Sequence, residues 1–204
     1  KIPTGSMEKT LLPGDYIIVN KASYSFYTPR YIPIIYVDIP FYKLVSFSAP
    51  ELNDVVVFEF DKIPNGKSSP KNINYIKRIV GTPGDTIQII NKDVFINRKK
   101  IIFPSGVKVL KDDVKNNDER EVEIFPKSRH WNSDNYGPIV VPKAGDTIKI
   151  NPQNIKDWKS LINNEFEKNV VSEEGSVILI NQKPVREYTV KKNYYFLLGD
   201  NRDD

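Results

Sequence analysis

Two residues in this chain could together perform nucleophilic catalysis without histidine or cysteine. Ser6 follows a glycine in Ile2-Pro3-Thr4-Gly5-Ser6-Met7, a proline-led turn. Such a turn holds a hydroxyl clear of the backbone and offers neighbouring N–H groups to an oxyanion. Lys77 lies in Asn74-Tyr75-Ile76-Lys77-Arg78-Ile79-Val80-Gly81, where strand alternation puts Tyr75, Lys77 and Ile79 on one face. A lysine between a tyrosine and an isoleucine on a buried face is poorly solvated. Desolvation disfavours the ammonium and leaves a neutral amine, which can act as a general base. Each residue also has a plainer reading: a surface Gly-Ser turn, and an edge-strand lysine whose ammonium reaches water. Taken alone, the residues leave both readings open.

The rest of the composition narrows the chemistry. Cysteine is absent, which removes thiol proteases, disulfides and thiolate metal sites. His130 is the single histidine and stands among polar residues far along the chain, so no His-rich metal centre can be built. The ending Gly199-Asp200-Asn201-Arg202-Asp203 is an acidic turn with one arginine, but it lacks EF-hand spacing and the distal glutamate. It reads as a turn stiffened by local hydrogen bonds and ion pairs. The formal charge of +4 comes from scattered lysines and arginines, with no basic run to track a phosphate backbone. Nucleic acid is therefore not an expected partner. A mildly basic face does suit an anionic membrane surface. No apolar run reaches the roughly 18–20 residues that cross a bilayer.

The elements that must position these residues read as strands. Residues 54–60, 75–80, 86–90, 94–96, 147–150, 177–180 and 194–198 are short β-branched and aromatic runs bounded by Gly, Pro, Asn or Asp. They predict a mainly β fold, an antiparallel barrel or sandwich-like assembly. One helix interrupts them, capped by Asn151 with Pro152 in its first turn and with Ile155, Trp158, Ile162 and Phe166 along one face. Gly84-Asp85-Thr86-Ile87 recurs as Gly145-Asp146-Thr147-Ile148, and residues 95–99 echo residues 179–183, which predicts two similar hairpins. Residues 111–123 read as an exposed polar loop. Residues 24–47 crowd tyrosines, phenylalanines and isoleucines among prolines. That mixture suits either a membrane interface or core filling.

The order of these pieces is specific. Ile-Pro-Thr-Gly-Ser-Met, Leu12-Pro13-Gly14-Asp15-Tyr16, Asn53-Asp54-Val55-Val56-Val57-Phe58, Tyr75-Ile76-Lys77-Arg78-Ile79-Val80-Gly81 with Pro83-Gly84-Asp85, and the final Gly-Asp-Asn-Arg-Asp resemble the ordered boxes of type I signal peptidases. The resemblance implies a serine endopeptidase with Ser6 as nucleophile, Lys77 as general base, and an oxyanion hole made by the Ser6 N–H and the Thr4 hydroxyl. It maps substrate-binding positions onto Ile2, Pro3, Met7, Leu11, Tyr75 and Ile76, and pairs Arg78 with Asp200 as structural support. The implied partner is the signal-peptide region of a preprotein, cut after a small-x-small motif at a bilayer surface, with no cofactor or metal. The implied location is the extracytoplasmic side of a bacterial inner membrane. The resemblance divides the chain into a catalytic core, 1–103 and 188–204, and an insertion domain, 104–187.

Departures and rivals bear on this reading. Glu8-Lys9-Thr10-Leu11 stands where relatives usually have a proline before Thr-Leu, and the proline's rigidity is lost. The chain stops at Asp204, before the serine that often follows the final turn and bonds the lysine, so it reads as a portion of a longer protein whose membrane anchor precedes Lys1. A self-cleaving repressor-type Ser-Lys protease shares the fold but calls for an upstream DNA-binding domain. An inactive β-rich binding module of the same fold is the third reading.

Overall fold

A computed structural model describes residues 2, 4–20, 22–27, 31–32, 37–38, 43–59, 74–109, 113–122 and 124–202. Near the start, β1 (Ser25–Tyr27), β2 (Tyr31–Ile32), β3 (Val37–Asp38) and β4 (Lys43–Ser46) are short; β1 pairs with β4 and β2 with β3. Then come β5 (Val55–Glu59), β6 (Asn74–Gly81), β7 (Thr86–Ile90), β8 (Asp93–Ile96), β9 (Lys99–Lys100), β10 (Tyr136–Val140) and β11 (Thr147–Lys149). The helix α1 (Ile155–Glu165) precedes β12 (Val171–Glu174), β13 (Val177–Ile180), β14 (Lys183–Val185), β15 (Glu187–Thr189) and β16 (Phe196–Leu198). All named strand pairs are antiparallel, in the mainly β architecture expected, and the sheets among the described residues do not close into a barrel.

Two turn motifs are used twice. Gly84 and Gly145 take φ of +93° and +95°, a region in which a side chain clashes. In each case the following aspartate caps its own turn: Asp85 Oδ2 accepts the Thr82 N–H and Asp146 Oδ2 the Lys143 N–H, both at 2.8 Å. Each turn is then stitched to a neighbouring segment. Gly84 and Asp85 exchange hydrogen bonds with Val141, and Gly145 and Asp146 do the same with Val190. Asn97-Arg98 and Asn181-Gln182 are two-residue hairpin turns with positive φ throughout. Such turns match the twist of the strands they join, and asparagine at the first position tolerates that backbone. The echoes seen in sequence are these shared turns.

Packing gathers around three clusters. Ile150, Ile155, Ile162, Val170, Val171, Ile178, Ile180 and Tyr188 bury the apolar face of α1 against β12, β13 and β15. Ile87, Ile96 and Val141 form a second cluster, and Ile89, Val94 and Tyr136 a third; Phe196 packs against both. The helix starts one turn later than its sequence suggests. Asn151 does not cap it: the Asn151 side chain accepts the N–H groups of Gln153 and Asn154, closing a separate turn, and Asn154 takes the N-cap position. Asparagine readily bonds its own backbone two residues on, and here that local turn wins. Residues of the expected polar loop are tied down by Asn132, wholly buried, whose amide donates to the Asn116 and Glu119 carbonyls. Of the aromatic-rich stretch, Tyr24 donates to Asp54 and Phe47 is 60% exposed. Most of its other side chains lie outside the described residues.

Candidate active site

β6 is the central strand of the sheet β16-β6-β5, but its pairing with β16 ends at Arg78, so Lys77 lies on the half of the strand that pairs with β5 alone. Val56 of β5 faces Lys77 across one ladder, and Leu198 of β16 faces Arg78 across the other. Tyr75 stacks on Phe58 with ring centroids 5.9 Å apart, and Tyr75, Ile76 and Lys77 are half-buried. β16 ends at Leu198, which brings Gly199 beside Lys77.

The Ser6 turn is built by its own backbone. Glu8 N–H donates to the Gly5 carbonyl at 2.8 Å, and the Thr10 and Leu11 N–H groups both donate to Met7 O. Lys9, inside this turn, has φ of +74°. Proline is locked near −65° and cannot adopt that conformation, so the departure from the usual proline is one the observed backbone requires. Ile2, just upstream, is buried and bonds both Gly14 and Asp15 through its backbone.

The final turn joins the two halves. Asn201 N–H donates to the Ser6 carbonyl at 3.1 Å, and the Asn201 amide reaches Gly5 O and Glu8 Oε2, each at 3.3 Å. A Cβ placed on Gly199 would lie 2.5 Å from Ser6 O and 3.3 Å from Lys77 Nζ. The serine's backbone and the lysine's amine therefore converge on one glycine. Arg78 and Asp200 form the expected pair, with Nε to Oδ1 at 2.7 Å and Nη2 to Oδ2 at 2.6 Å. Arg78 Nη1 also donates to Asn53 O. Burial raises the Asp200 pKa, but hydrogen bonds from Arg78 and Thr10 and the charge of Arg78 overcome it and hold the carboxyl below its usual range.

The remaining sequence-derived positions are placed as follows. Thr4 is exposed, two residues before Ser6. Met7 is 2% exposed, and its Sδ receives the Asp200 N–H at 3.4 Å. Leu11 is half-buried. Pro3 lies outside the described residues. His130 is exposed, in the loop that Ser128 fastens to Asp157 of α1. Gly199, Asn201 and Thr10 carry more of the site than their sequence context suggested. The final box contained the first two, but only the fold shows what they touch. Among the described residues, no group of three His, Asp or Glu could hold a metal ion. No helix among them is long and apolar enough to cross a membrane.

Comparison with known proteins identifies the family. The family described as signal peptidase, peptidase S26, matches residues 1–204. A signal peptidase I from Buchnera aphidicola is 33% identical over 211 residues, covering 100% of this chain and 59% of the relative. One from Rickettsia typhi is 31% identical, covering 99% of this chain and 60% of that protein. A third, from Rickettsia felis, is 40% identical over 147 residues, covering 68% of this chain and 48% of the relative. The chain thus spans less than two thirds of the length of these relatives. No solved structure matches this chain. The chain belongs to the signal peptidase family, peptidase S26.

Proposed function

We propose that this chain carries the catalytic portion of a type I signal peptidase, a serine endopeptidase that removes signal peptides from preproteins by a Ser6–Lys77 dyad. The observation that supports it most is the convergence of Ser6 O and Lys77 Nζ on Gly199. In this reading neutral Lys77 takes the Ser6 proton as the hydroxyl attacks the scissile carbonyl, and the C–O bond forms while the carbonyl π electrons move to oxygen. The Ser6 N–H and the Thr4 hydroxyl hold that oxyanion. Collapse breaks the C–N bond, Lys77 returns the proton to the leaving amine, and an acyl-enzyme remains. Water, deprotonated by Lys77, then releases the signal peptide and regenerates Ser6.

β6 continues past its last pairing with β16 by Asn74–Lys77, which gives an extended backbone beside the Ser6 turn. A substrate strand laid along it would be held by its main chain, with small side chains before the cut met by Leu11, Tyr75 and Ile76. Ile2 and Met7, both buried, are further positions of that binding surface in this reading. The exposed Phe47 and Val45 suit contact with a bilayer surface, and in this reading the reaction takes place on the extracytoplasmic side of a bacterial membrane.

Full-length protein should cleave a peptide carrying Ala-x-Ala before the cut. Ser6→Ala and Lys77→Met should each lower turnover by a factor on the order of 10⁴ or more, with thermal melting nearly unchanged. Wild-type rates from Lys77→Met would sink the dyad.

A further inference from the structure

Thr10 sits on the surface, yet its hydroxyl points inward. Its Oγ1 donates to Asp200 Oδ2, the same oxygen that accepts Arg78 Nη2. Asp200 is 1% exposed, so this bond ends in the interior. The other end of the network is the base strand, since Arg78 directly follows Lys77 in β6. A separate observation shows that the loop after β9 closes over the same hydroxyl. Gly106 has φ of +127°, and a Cβ there would lie 3.2 Å from Thr10 Oγ1. That loop is sewn to the final turn by Lys108 N–H to Asp200 O at 2.7 Å and Arg202 N–H to Lys108 O at 3.1 Å.

We propose that Thr10 is a positioning residue whose hydroxyl, given to Asp200, holds the Ser6 turn in register with the Lys77 strand. The proposal rests on the peptidase reading above. Its physical need is clear from Lys9, whose left-handed backbone a non-glycine residue keeps only when its surroundings impose it. The final turn holds the first half of this turn by Asn201 N–H to Ser6 O, the Asn201 amide to Gly5 O and Glu8 Oε2, and Asp200 N–H to Met7 Sδ, and Thr10 supplies the side-chain clamp at its end. Without the clamp at Thr10, Ser6 would stay attached but its hydroxyl would wander relative to Lys77. Displacements of a fraction of an ångström suffice to slow a positioned proton transfer. Substrate binding along β6 would be left intact.

Three variants of the full-length protein test this: Thr10→Val, which keeps the shape and loses the hydroxyl; Thr10→Ala, which leaves room for water; and Thr10→Ser, which restores the donor. Cleavage of a quenched Ala-x-Ala peptide and hydrogen–deuterium exchange of residues 7–11 are measured on each, alongside a melting curve. The hydroxyl-free variants should lose about tenfold or more in kcat, with KM within about twofold of wild type, and Thr10→Ser should recover to within about threefold. Exchange in the turn should quicken in Thr10→Val and Thr10→Ala but not in Thr10→Ser. Exchange equal to wild type in both hydroxyl-free variants overturns the hold. Equal kcat overturns its part in the reaction. Wild-type protein that leaves the peptide whole defeats the peptidase reading instead, and the exchange data still decide the hold.

Discussion

Gly199 is where a single added carbon would be felt most. A methyl there would press on the Ser6 carbonyl at 2.5 Å, closer than real contacts allow, and on the lysine amine at 3.3 Å. The amine can swing aside; the carbonyl cannot, because Asn201 already bonds it. Gly199→Ala must therefore shift the Ser6 turn against the Lys77 strand. We expect kcat to fall on the order of 10²-fold, the size of effect a misplacement of about 1 Å produces. The melting temperature should drop by only about 10 °C or less. Peptide-cleavage kinetics beside a melting curve separate the two, and an Ala variant that cuts at the wild-type rate would show that the convergence is not the reacting geometry. Lys9 teaches a related lesson at the same scale. Sequence marks it as a lost proline, whereas the backbone shows a conformation that proline could not enter.

At the scale of elements, one carboxylate joins α1 to β15 and to the segment that leads into β16. Glu165, buried in the last turn of α1, accepts from the Lys191 and Lys192 backbone N–H groups and from the Tyr188 and Tyr194 hydroxyls. Glu165→Ala would orphan four donors at once. The expected loss is on the order of 3 kcal/mol, read by urea unfolding, with Glu165→Gln falling between because its amide keeps one acceptor. A loss below about 0.5 kcal/mol, the range of an ordinary surface change, would mean that water replaces the carboxylate freely. This hub was not legible in the sequence, because its partners lie 23 to 29 residues away and nothing local marks them. β5, β6, β7, β8 and β13 were legible because short β-branched runs between turn residues have few other uses. The Asn151 cap failed for the opposite reason: a good local signal was spent on a different local turn. The proposed dyad could be read only through the order of its boxes, since the contacts among Thr10, Asp200 and Arg78 span up to 190 residues.

Across the whole molecule, the same hubs set how stability depends on pH. Asp85, Glu121, Glu165 and Asp200 all have carboxyls held below their usual range, with burial opposing the shift and hydrogen bonds or cations overcoming it. A carboxyl lowered by folding stabilises above its unfolded value, about 4, and that contribution is lost as pH falls through the folded value. Tyrosines act at the other end. Burial, then the Asp54 bond, pushes Tyr24 up to about 12, and burial likewise raises Tyr136, Tyr188 and Tyr194. A raised tyrosine stabilises fully below its unfolded value, about 10, and that contribution is lost as pH climbs through the folded value. The melting temperature should therefore hold level between about pH 5 and 9 and fall on both sides. Glu165 belongs to both limbs, because it is itself lowered and also raises Tyr188 and Tyr194. Glu165→Gln should make the acid and alkaline limbs shallower together, measured by thermal melts from pH 3 to pH 12. A change confined to one limb would separate the carboxylate from its tyrosines and break the account of how α1 is tied to β15 and the segment that leads into β16.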